Sequence, residues 1–215
     1  MTKTRPVAAG RPGDTSPRAS RMSPGERRRQ LVAAALRTFA ARGIGETSHT
    51  ALAQEAGVAV PTVFHYFATK ESVIEAVLAE VSRFLLDDLL ASGDEPTEPA
   101  PVVIEAILMS FCDAIDTHPD YIRVWLEWSV AIREGLWESY LSFYRGALEG
   151  IRSILERGVA EASVQQGIDI EDAARVIVGL AHMIVQMKFS GASRDQVVRT
   201  VHTLLKSYLQ HSAES

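Results

Sequence analysis

The chain of 215 residues contains a single cysteine, Cys112, so it cannot form an internal disulfide bond. It also lacks any stretch of about 18 uncharged apolar residues, which a membrane-spanning helix would need. The first twenty residues are rich in proline, glycine, serine and arginine, without the continuous apolar core of a secretory signal. These absences predict a cytoplasmic protein with no membrane-bound segment.

The sequence patterns of common catalytic sites are missing as well. The six histidines include no His-x-x-x-His pair, and there is no Cys-x-x-Cys pair, glycine-rich phosphate loop or Gly-x-Ser-x-Gly elbow. Neighbouring carboxylates such as Asp87 and Asp88 are interpreted as solvated helix faces. We therefore expect no enzymatic activity, no metal ion and no other cofactor.

Charge is distributed unevenly along the chain. The formal net charge is −5, yet residues 1–70 contain eleven basic and four acidic residues, whereas the remainder contains eleven basic and twenty-three acidic ones. A polyanion responds to the charge within a Debye length of roughly 8 Å, not to the mean of the whole chain. The acidic balance therefore does not exclude a nucleic-acid partner for the N-terminal part.

After residue 22 nearly every segment shows helical periodicity, with no sustained alternation typical of strands. This pattern predicts an all-α fold of about nine helices. The first helix begins with Ser23-Pro24 and is completed by Glu26 as a capping box, and Gly43 is predicted to end it as a left-handed C-cap.

Two short helices follow, the first from near Ser48 and the second carrying Val63 and Phe67 inward, and the Gly57-Val58-Ala59 connection between them predicts a helix-turn-helix. A long fourth helix is predicted after Thr69, to about residue 90, with a buried stripe of valines. Position 72 is serine and not glutamate, which predicts an incomplete capping box.

The segment 92–101 holds three prolines and three carboxylates, so it is predicted to be a solvent-exposed loop. Helical periodicity resumes beyond it. The five later helices are predicted at roughly 102–116, 120–131, 135–162, 169–189 and 194–210.

The run ALAQEAGVAVPTVFHYFATKESV resembles the helix-turn-helix of the TetR family of transcriptional regulators, with Ala53, Thr62 and the Thr-Lys-Glu at 69–71 in register. The strings RMSPGERRRQLV, TFAARGIG, VPTVFHYF and RVWLEWSVAIREGLW further resemble the quorum-sensing master regulators of vibrios, the LuxR/HapR/SmcR type. The likeness covers most of residues 21–190 and weakens along the later helices.

This resemblance implies a three-helix DNA-binding head joined by a long helix to a helical body. The implied domains are a flexible basic arm (1–22), a helix-turn-helix domain (23–68) and a dimerisation and ligand-binding domain (69–215). It implies a regulator controlled by a ligand or, as in some vibrio-type members, by its own abundance.

A recognition helix must fit a major groove about 12 Å wide, with base edges in front and phosphates on both flanks. An exposed apolar pair, Val60 and Phe64, suits a thymine methyl, while hydroxyl and basic groups suit phosphates. The predicted DNA-binding residues are Arg21, Arg27, Arg28, Arg29, Ser48, Val60, Thr62, Phe64, His65, Tyr66 and Lys70.

Two positions depart from the family pattern. Ala59 stands where a serine usually caps the recognition helix, and His65 stands where the vibrio-type proteins have asparagine. Histidine can donate to guanine but lacks the bidentate adenine geometry of an amide. The basic arm has two interpretations: it is merely solubilising, or its Arg21 enters a narrow minor groove.

The last two helices are apolar on more than one face, which indicates a second copy as partner, and the resemblance implies a homodimer built as a four-helix bundle. Such a dimer would read a pseudo-palindromic operator with recognition helices about 34–36 Å apart. The predicted interface residues are Ile177, Leu180, Ile184, Val201, Leu204 and Tyr208.

The middle helices are rich in aromatic residues, which are either core packing or the lining of a pocket. The resemblance implies a pocket that takes a small apolar or aromatic ligand, whose binding would swing the fourth helix and the attached head. The predicted lining residues are Trp125, Leu85, Leu89, Phe111, Tyr144 and Met183.

A helical protein-interaction module that never contacts DNA is the alternative function. It would explain the apolar last helices equally well. It would not explain the basic arm, the helix-turn-helix spacing, or the expected exposure of Phe64 and Tyr66.

Overall fold

The computed structural model describes residues 22–91, 97–132 and 135–210, and within these ranges the chain is helical and contains no strand, so the all-α prediction is confirmed. None of the helices in these ranges is both long and apolar enough to cross a bilayer. The helices are α1 (Pro24–Arg42), α2 (His49–Ala56), α3 (Val60–Tyr66), α4 (Lys70–Arg83, continued by a π-helical segment, Phe84–Leu90), α5 (Ala100–Thr117), α6 (Pro119–Ser129), α7 (Leu136–Ala160), α8 (Ile170–Phe189) and α9 (Arg194–Leu209).

Capping boxes begin both α1 and α4. At α1, the Ser23 amide donates to Glu26 Oε2 at 2.7 Å, and the hydrogen bonds to Ser23 hold the pKa of Glu26 below its ordinary value. At α4 the predicted incompleteness is wrong, because Ser72 Oγ accepts from the Thr69 amide at 3.3 Å while the Ser72 amide donates to Thr69 Oγ1 at 3.2 Å. A serine hydroxyl therefore reaches the N-cap amide as a glutamate would, and such caps stabilise a helix by about 1 kcal/mol.

Gly43 ends α1, but not in the predicted left-handed conformation. Its φ is 97° and its ψ is 153°, and its amide still donates to the Phe39 carbonyl. The turn passes close to α6, since a Cβ on Gly43 would lie 3.3 Å from Glu127 Oε1. Both the positive φ and this approach favour glycine here.

The three N-terminal helices pack into one head around a small apolar core. Gly57, in the left-handed conformation at φ 65° and ψ 36°, turns the chain from α2 into α3 and completes the predicted helix-turn-helix. Val63 and Phe67 point inward as predicted, with exposures of 0% and 2%.

The body is arranged around α5, which packs against α7, α8, α9 and the π-helical segment. The predicted stripe on α4 is buried, from Val73 to Leu85. The later helices begin and end within two residues of their predicted positions, because the prolines and glycines that break them act locally. Head and body meet where α6 contacts α1 and α4.

The π-helical segment at the end of α4 differs from the continuous α-helix that the sequence predicts. It packs on two glycines of α7: a Cβ on Gly146 would lie 3.0 Å from Leu86 Cδ1, and one on Gly150 would lie 2.4 Å from Leu90 Cδ2. The two leucines therefore occupy notches that any larger residue would fill. π-Helical turns are rare and occur frequently at functional sites.

The predicted dimer interface requires correction. Ile177, Ile184 and Val201 are buried inside the single chain, with exposures of 1%, 0% and 0%. They lie on the faces of α8 and α9 that pack against the rest of the body, so they are not available to a second copy. Because both helices are apolar on several sides, periodicity alone could not tell the inner face from the outer one.

Candidate functional site: nucleic-acid interface and apolar cavity

The outer face of α3 carries the side chains predicted to contact DNA. Phe64 is 51% exposed and His65 is exposed, whereas the side chains of Val60, Thr62 and Tyr66 are half-buried. Ala59 provides no side-chain cap, as expected from its methyl group. The seven-residue helix therefore depends on its neighbours for its position.

One of those neighbours is His49, at the start of α2, which sequence reasoning missed. Its ring stacks on Phe64 with the centroids 4.2 Å apart and the planes within 3°. Its Nε2 lies 2.9 Å from the carbonyl oxygen of Phe67, directly after α3. Ser48 caps α2 by accepting from the Ala51 amide at 3.2 Å, so the histidine lies on an ordered turn.

The basic residues of the head have different surroundings. Arg27 donates to Gln30 Oε1 at 2.6 Å, and Gln30 in turn donates to the Ala56 carbonyl at 3.0 Å. Arg28 lies over the Phe67 ring, 5.3 Å from its centroid. Arg29 is exposed.

Lys70 is half-buried and donates to the Gly45 carbonyl, which leaves two further ammonium hydrogens for another acceptor. Arg21, the residue assigned to a minor groove, lies outside the described residues, as does all of the basic arm except Met22.

The body contains an apolar cavity of about 80 Å³ between the π-helical segment and helices α5 to α8. Four of the six predicted lining residues surround it: Trp125, Leu85, Leu89 and Phe111. Its other lining residues are Leu86, Leu90, Ile107, Leu108, Tyr140, Phe143, Ala147, Ile151, Ile177, Val178 and Ala181.

Tyr144 and Met183 do not line this cavity, which corrects the prediction for both. Tyr144 lies one turn beyond Tyr140 and stacks on it with 6.2 Å between the ring centroids. Met183 is half-buried on α8, where Val178 and Ala181 face the cavity instead. Helical positions near an apolar face are easily misassigned by one turn when only the sequence is known.

Trp125 is a central wall of the cavity and is 3% exposed. Phe111 meets it edge-on at 5.2 Å, and the His182 ring lies 4.4 Å away on α8. His182 Nε2 is 3.0 Å from Ser129 Oγ, and burial lowers the pKa of His182. The Ser129 hydroxyl donates to the Leu126 carbonyl, so its oxygen accepts from the Nε2–H of His182.

A carboxylate of α6 joins body to head. Glu127 accepts from the Ile44 amide, with Oε1 at 3.0 Å and Oε2 at 3.2 Å. It follows Trp125 by two residues on the same helix. Helix α6 thus carries a cavity wall and a contact to the turn after α1.

A larger cleft of about 680 Å³ opens between α4 and the start of α7. Its walls include the charged residues Lys70, Glu71 and Glu75, so it differs chemically from the apolar cavity. In the ranges that the structure describes, no three His, Cys, Asp or Glu side chains are grouped to hold a metal ion.

Comparisons with known proteins agree with this architecture. Residues 31–77 match the family described as bacterial regulatory proteins, tetR family. The HTH-type transcriptional regulator LuxR of Vibrio harveyi is 28% identical over 190 residues, covering 88% of this chain and 90% of that regulator. The HTH-type transcriptional repressor KstR2 of Rhodococcus jostii is 28% identical over 187 residues, covering 85% and 87%.

Among solved structures, FadR from Bacillus subtilis in complex with stearoyl-CoA has a TM-score of 0.73 at 20% identity, covering 85% of this chain and 99% of that one. At this identity the likeness supports the fold. The matched family segment begins in α1 and ends in α4, so it contains the complete helix-turn-helix. Residues 31–77 therefore carry a helix-turn-helix of the tetR-family type, and over most of its length the chain is similar to DNA-binding transcriptional regulators.

Proposed function

We propose that the chain binds a pseudo-palindromic operator as a homodimer, with α3 of each copy in a major groove. The observation that carries this proposal is the outward face of α3, where Phe64 and His65 are exposed beside the exposed Arg28 and Arg29 of the same head. Ring and imidazole groups suit base edges, and the guanidinium groups suit phosphates. Residues 23–68 would form the DNA-binding domain, working in the cytoplasm.

The proposed dimer surface is the outer face of α8 and α9. On α8, Val176 is 46% exposed, and Leu180 and Met183 follow it at helical spacing with half-buried side chains. On α9, Leu204 is 41% exposed and Tyr208 is half-buried. Two copies meeting through these faces would form a four-helix bundle, while Leu180, Leu204 and Tyr208 keep their predicted roles.

Selection of bound sites from a random DNA pool, followed by fluorescence anisotropy, tests DNA recognition. We expect a two-fold symmetric consensus with half-sites one helical turn apart, and affinity that falls steeply with salt. Analytical ultracentrifugation should show a dimer that Leu204→Asp weakens. A monomer that binds a single half-site would contradict the homodimer.

The basic arm is proposed to add minor-groove and phosphate contacts through Arg21 and its neighbours. Deletion of residues 1–22 should weaken binding and reduce the slope of log affinity against log salt by roughly 0.9 for each phosphate that the arm neutralises. An unchanged slope in a salt titration would assign the arm a solubilising role.

We further propose that an apolar or aromatic ligand enters the cavity and changes DNA affinity. The observed volume of about 80 Å³ is below the roughly 300–1,000 Å³ of typical ligand pockets, so the cavity would have to expand. The π-helical segment is the wall best suited to move, because it supplies Leu85, Leu86, Leu89 and Leu90 to the lining. Stearoyl-CoA in the FadR complex is an apolar-chain ligand in a similar fold.

Two contacts connect α6, which carries a cavity wall, to the head and to α4, the helix that follows the head. Glu127 of α6 accepts a hydrogen bond from the Ile44 amide in the turn after α1. The Tyr121 hydroxyl of α6 donates to the Glu80 carboxylate of α4 at 3.1 Å. Burial and the Glu80 carboxylate raise the pKa of Tyr121 to about 12, so this hydroxyl remains protonated. A coupling of about 1–3 kcal/mol through such contacts would change DNA affinity roughly 5- to 150-fold.

Ligand control is tested by titrating n-decanol and 1-naphthol into the operator-bound dimer while tryptophan fluorescence reports occupancy of the cavity. We expect quenching that Trp125→Phe reduces, together with a parallel change in DNA anisotropy. Quenching without any change in anisotropy would show a cavity that is not coupled to DNA binding.

The resemblance to the vibrio regulators extends the proposal to control by abundance, with a link to quorum sensing. Measuring the amount of the chain against cell density tests this link, since a constant amount would exclude it. The alternative of an interaction module without DNA binding is set aside, because the family match covers the DNA-binding head.

A further inference from the structure

We infer that His49 is a positioning residue for base recognition: it holds Phe64 against the major groove and so makes binding sensitive to a thymine methyl group. This inference rests on the proposed placement of α3 in DNA. Nothing in the helix-turn-helix pattern assigns a role to His49, which precedes the recognition helix by eleven residues and belongs to α2.

Phe64 would be poorly defined without a partner. It lies on the solvent side of α3 with 51% of its surface exposed, and an exposed side chain of this kind exchanges among rotamers. Ordering it on binding would weaken the complex, since loss of side-chain freedom opposes association. An aromatic ring that is already held in place avoids this loss.

His49 provides the restraint. The two rings lie 4.2 Å apart at the centroids and within 3° of parallel, so one face of Phe64 is covered while the side chain stays half exposed. Stacked aromatic pairs are favoured in this arrangement. The remaining surface of Phe64 is the part that DNA can meet.

The histidine is itself fixed at both ends. Its backbone begins α2, where Ser48 forms the N-cap, and its Nε2–H donates to the Phe67 carbonyl at 2.9 Å. Phe67 is the residue directly after α3, and the guanidinium of Arg28 lies over its ring. His49 therefore connects the beginning of α2, the middle of α3 and the end of α3.

Such a rigid, apolar surface at the groove selects for an apolar group on a base. In the major groove the only one is the 5-methyl group of thymine, which phenylalanine contacts in protein–DNA complexes. The inferred partner is thus a thymine in each half-site of the operator. His49 would control the recognition of that methyl without contacting it.

The test uses the full chain and the duplex that it selects from a random pool. Each thymine is replaced in turn by deoxyuridine, which removes only the methyl group, and affinity is measured by fluorescence anisotropy. The methyl factor is the affinity for the thymine duplex divided by the affinity for the deoxyuridine duplex. For the natural chain we expect a methyl factor of about four at one or more positions in each half-site, which is the value for burying one methyl-sized group. Phe64→Ala should bring the factor at that position close to one.

Two variants of His49 separate its ring from its hydrogen bond. His49→Gln keeps a donor for the Phe67 carbonyl but has no ring, and its factor should fall below about twofold. His49→Phe keeps the stacked ring but has no donor, and it should retain the fourfold factor even if overall affinity decreases. The factor compares two duplexes with one protein, so a change in folding stability cancels.

Three results would overturn the inference: no thymine position in the natural complex shows the effect, Phe64→Ala retains it, or His49→Gln retains it in full. Failure of the proposed function would look different. In that case the natural chain would select no consensus from the pool, and its DNA binding would be absent or independent of sequence.

Discussion

The head and the body of this regulator place their functional groups in opposite directions, outward in one and inward in the other. Through residue 70 the chain has eleven basic and four acidic residues, and the head presents Phe64 and the arginines outward. Beyond residue 70 it has eleven basic and twenty-three acidic residues, and the body turns its aromatic groups inward around Trp125. A polyanion is thus attracted to one end and repelled by the other, which orients the molecule before any specific contact forms.

The sharpest test of this contrast pairs two aromatic substitutions. Trp125→Ala should lower the free energy of unfolding by about 3–5 kcal/mol, because it removes a buried ring from the cavity wall. Phe64→Ala should lower it by about 1 kcal/mol, through loss of the stack, yet reduce DNA affinity about tenfold. Urea denaturation and anisotropy measure the two quantities. If both substitutions lowered the free energy of unfolding by similar amounts, the contrast between an inward-facing aromatic residue in the body and an outward-facing one in the head would be wrong.

A second prediction compares glycines in the two regions. A Cβ on Gly158 of α7 would lie 2.5 Å from Ala100 Cβ and 2.6 Å from Val164 Cγ2, so Gly158→Val should destabilise the body by about 3 kcal/mol. Gly25 of α1 has no atom within 4 Å of such a Cβ, and Gly25→Ala should change stability by less than about 0.5 kcal/mol. Thermal unfolding of both variants checks the difference, which equal melting temperatures would refute.

A third prediction concerns the contact that joins the two regions. Glu127→Ala leaves the Ile44 amide without its acceptor and should lower the free energy of unfolding by about 2 kcal/mol. Glu127→Gln retains an acceptor oxygen and should lower it by clearly less. Urea denaturation measures both. If both variants match the natural chain, head and body are energetically independent at this contact.

The smallest expected effect depends on pH. Burial lowers the pKa of His182 below 6.5, so under acidic conditions the unfolded chain binds a proton that the folded chain resists. The stabilisation is therefore complete above pH 6.5 and is lost as the pH falls through the lowered pKa of the folded state, with a slope of at most about 1.4 kcal/mol per pH unit. His182→Gln should remove this part of the slope, whereas the carboxylates contribute equally to both curves. If the free energy of unfolding varied with pH in the same way for the natural chain and His182→Gln, this role of His182 would be wrong.

The head is predictable from sequence to a greater degree than the body, for a physical reason. The helix-turn-helix is a local motif, in which Gly57 and the spacing of Val63 and Phe67 determine the turn and the inner face within about twenty residues. The cavity is formed by five segments distant in the chain. The sequence places Ile177 at the dimer interface although it lines the cavity, because α8 is apolar on nearly every side and gives no direction.

Interactions between side chains far apart in sequence are also beyond prediction. Nothing in the sequence pairs His49 with Phe64 or Glu127 with the turn after α1, since both contacts depend on how helices pack. The capping box of α4 escapes prediction for a simpler reason. Serine is not the residue expected at its third position, yet its hydroxyl forms the required bond.

The π-helical segment has a consequence for the length of α4. A π-helical turn contains one residue more than an α-helical turn. Removing a residue from a regular α-helix rotates everything beyond that residue by about 100°. Deleting Asp87 should therefore let Phe84–Leu90 relax to α-helical geometry while the head keeps its orientation. Deleting Ile74 instead would rotate the head relative to the body. The end of α4 is thus the place where this chain can lose a residue without changing the orientation of its head.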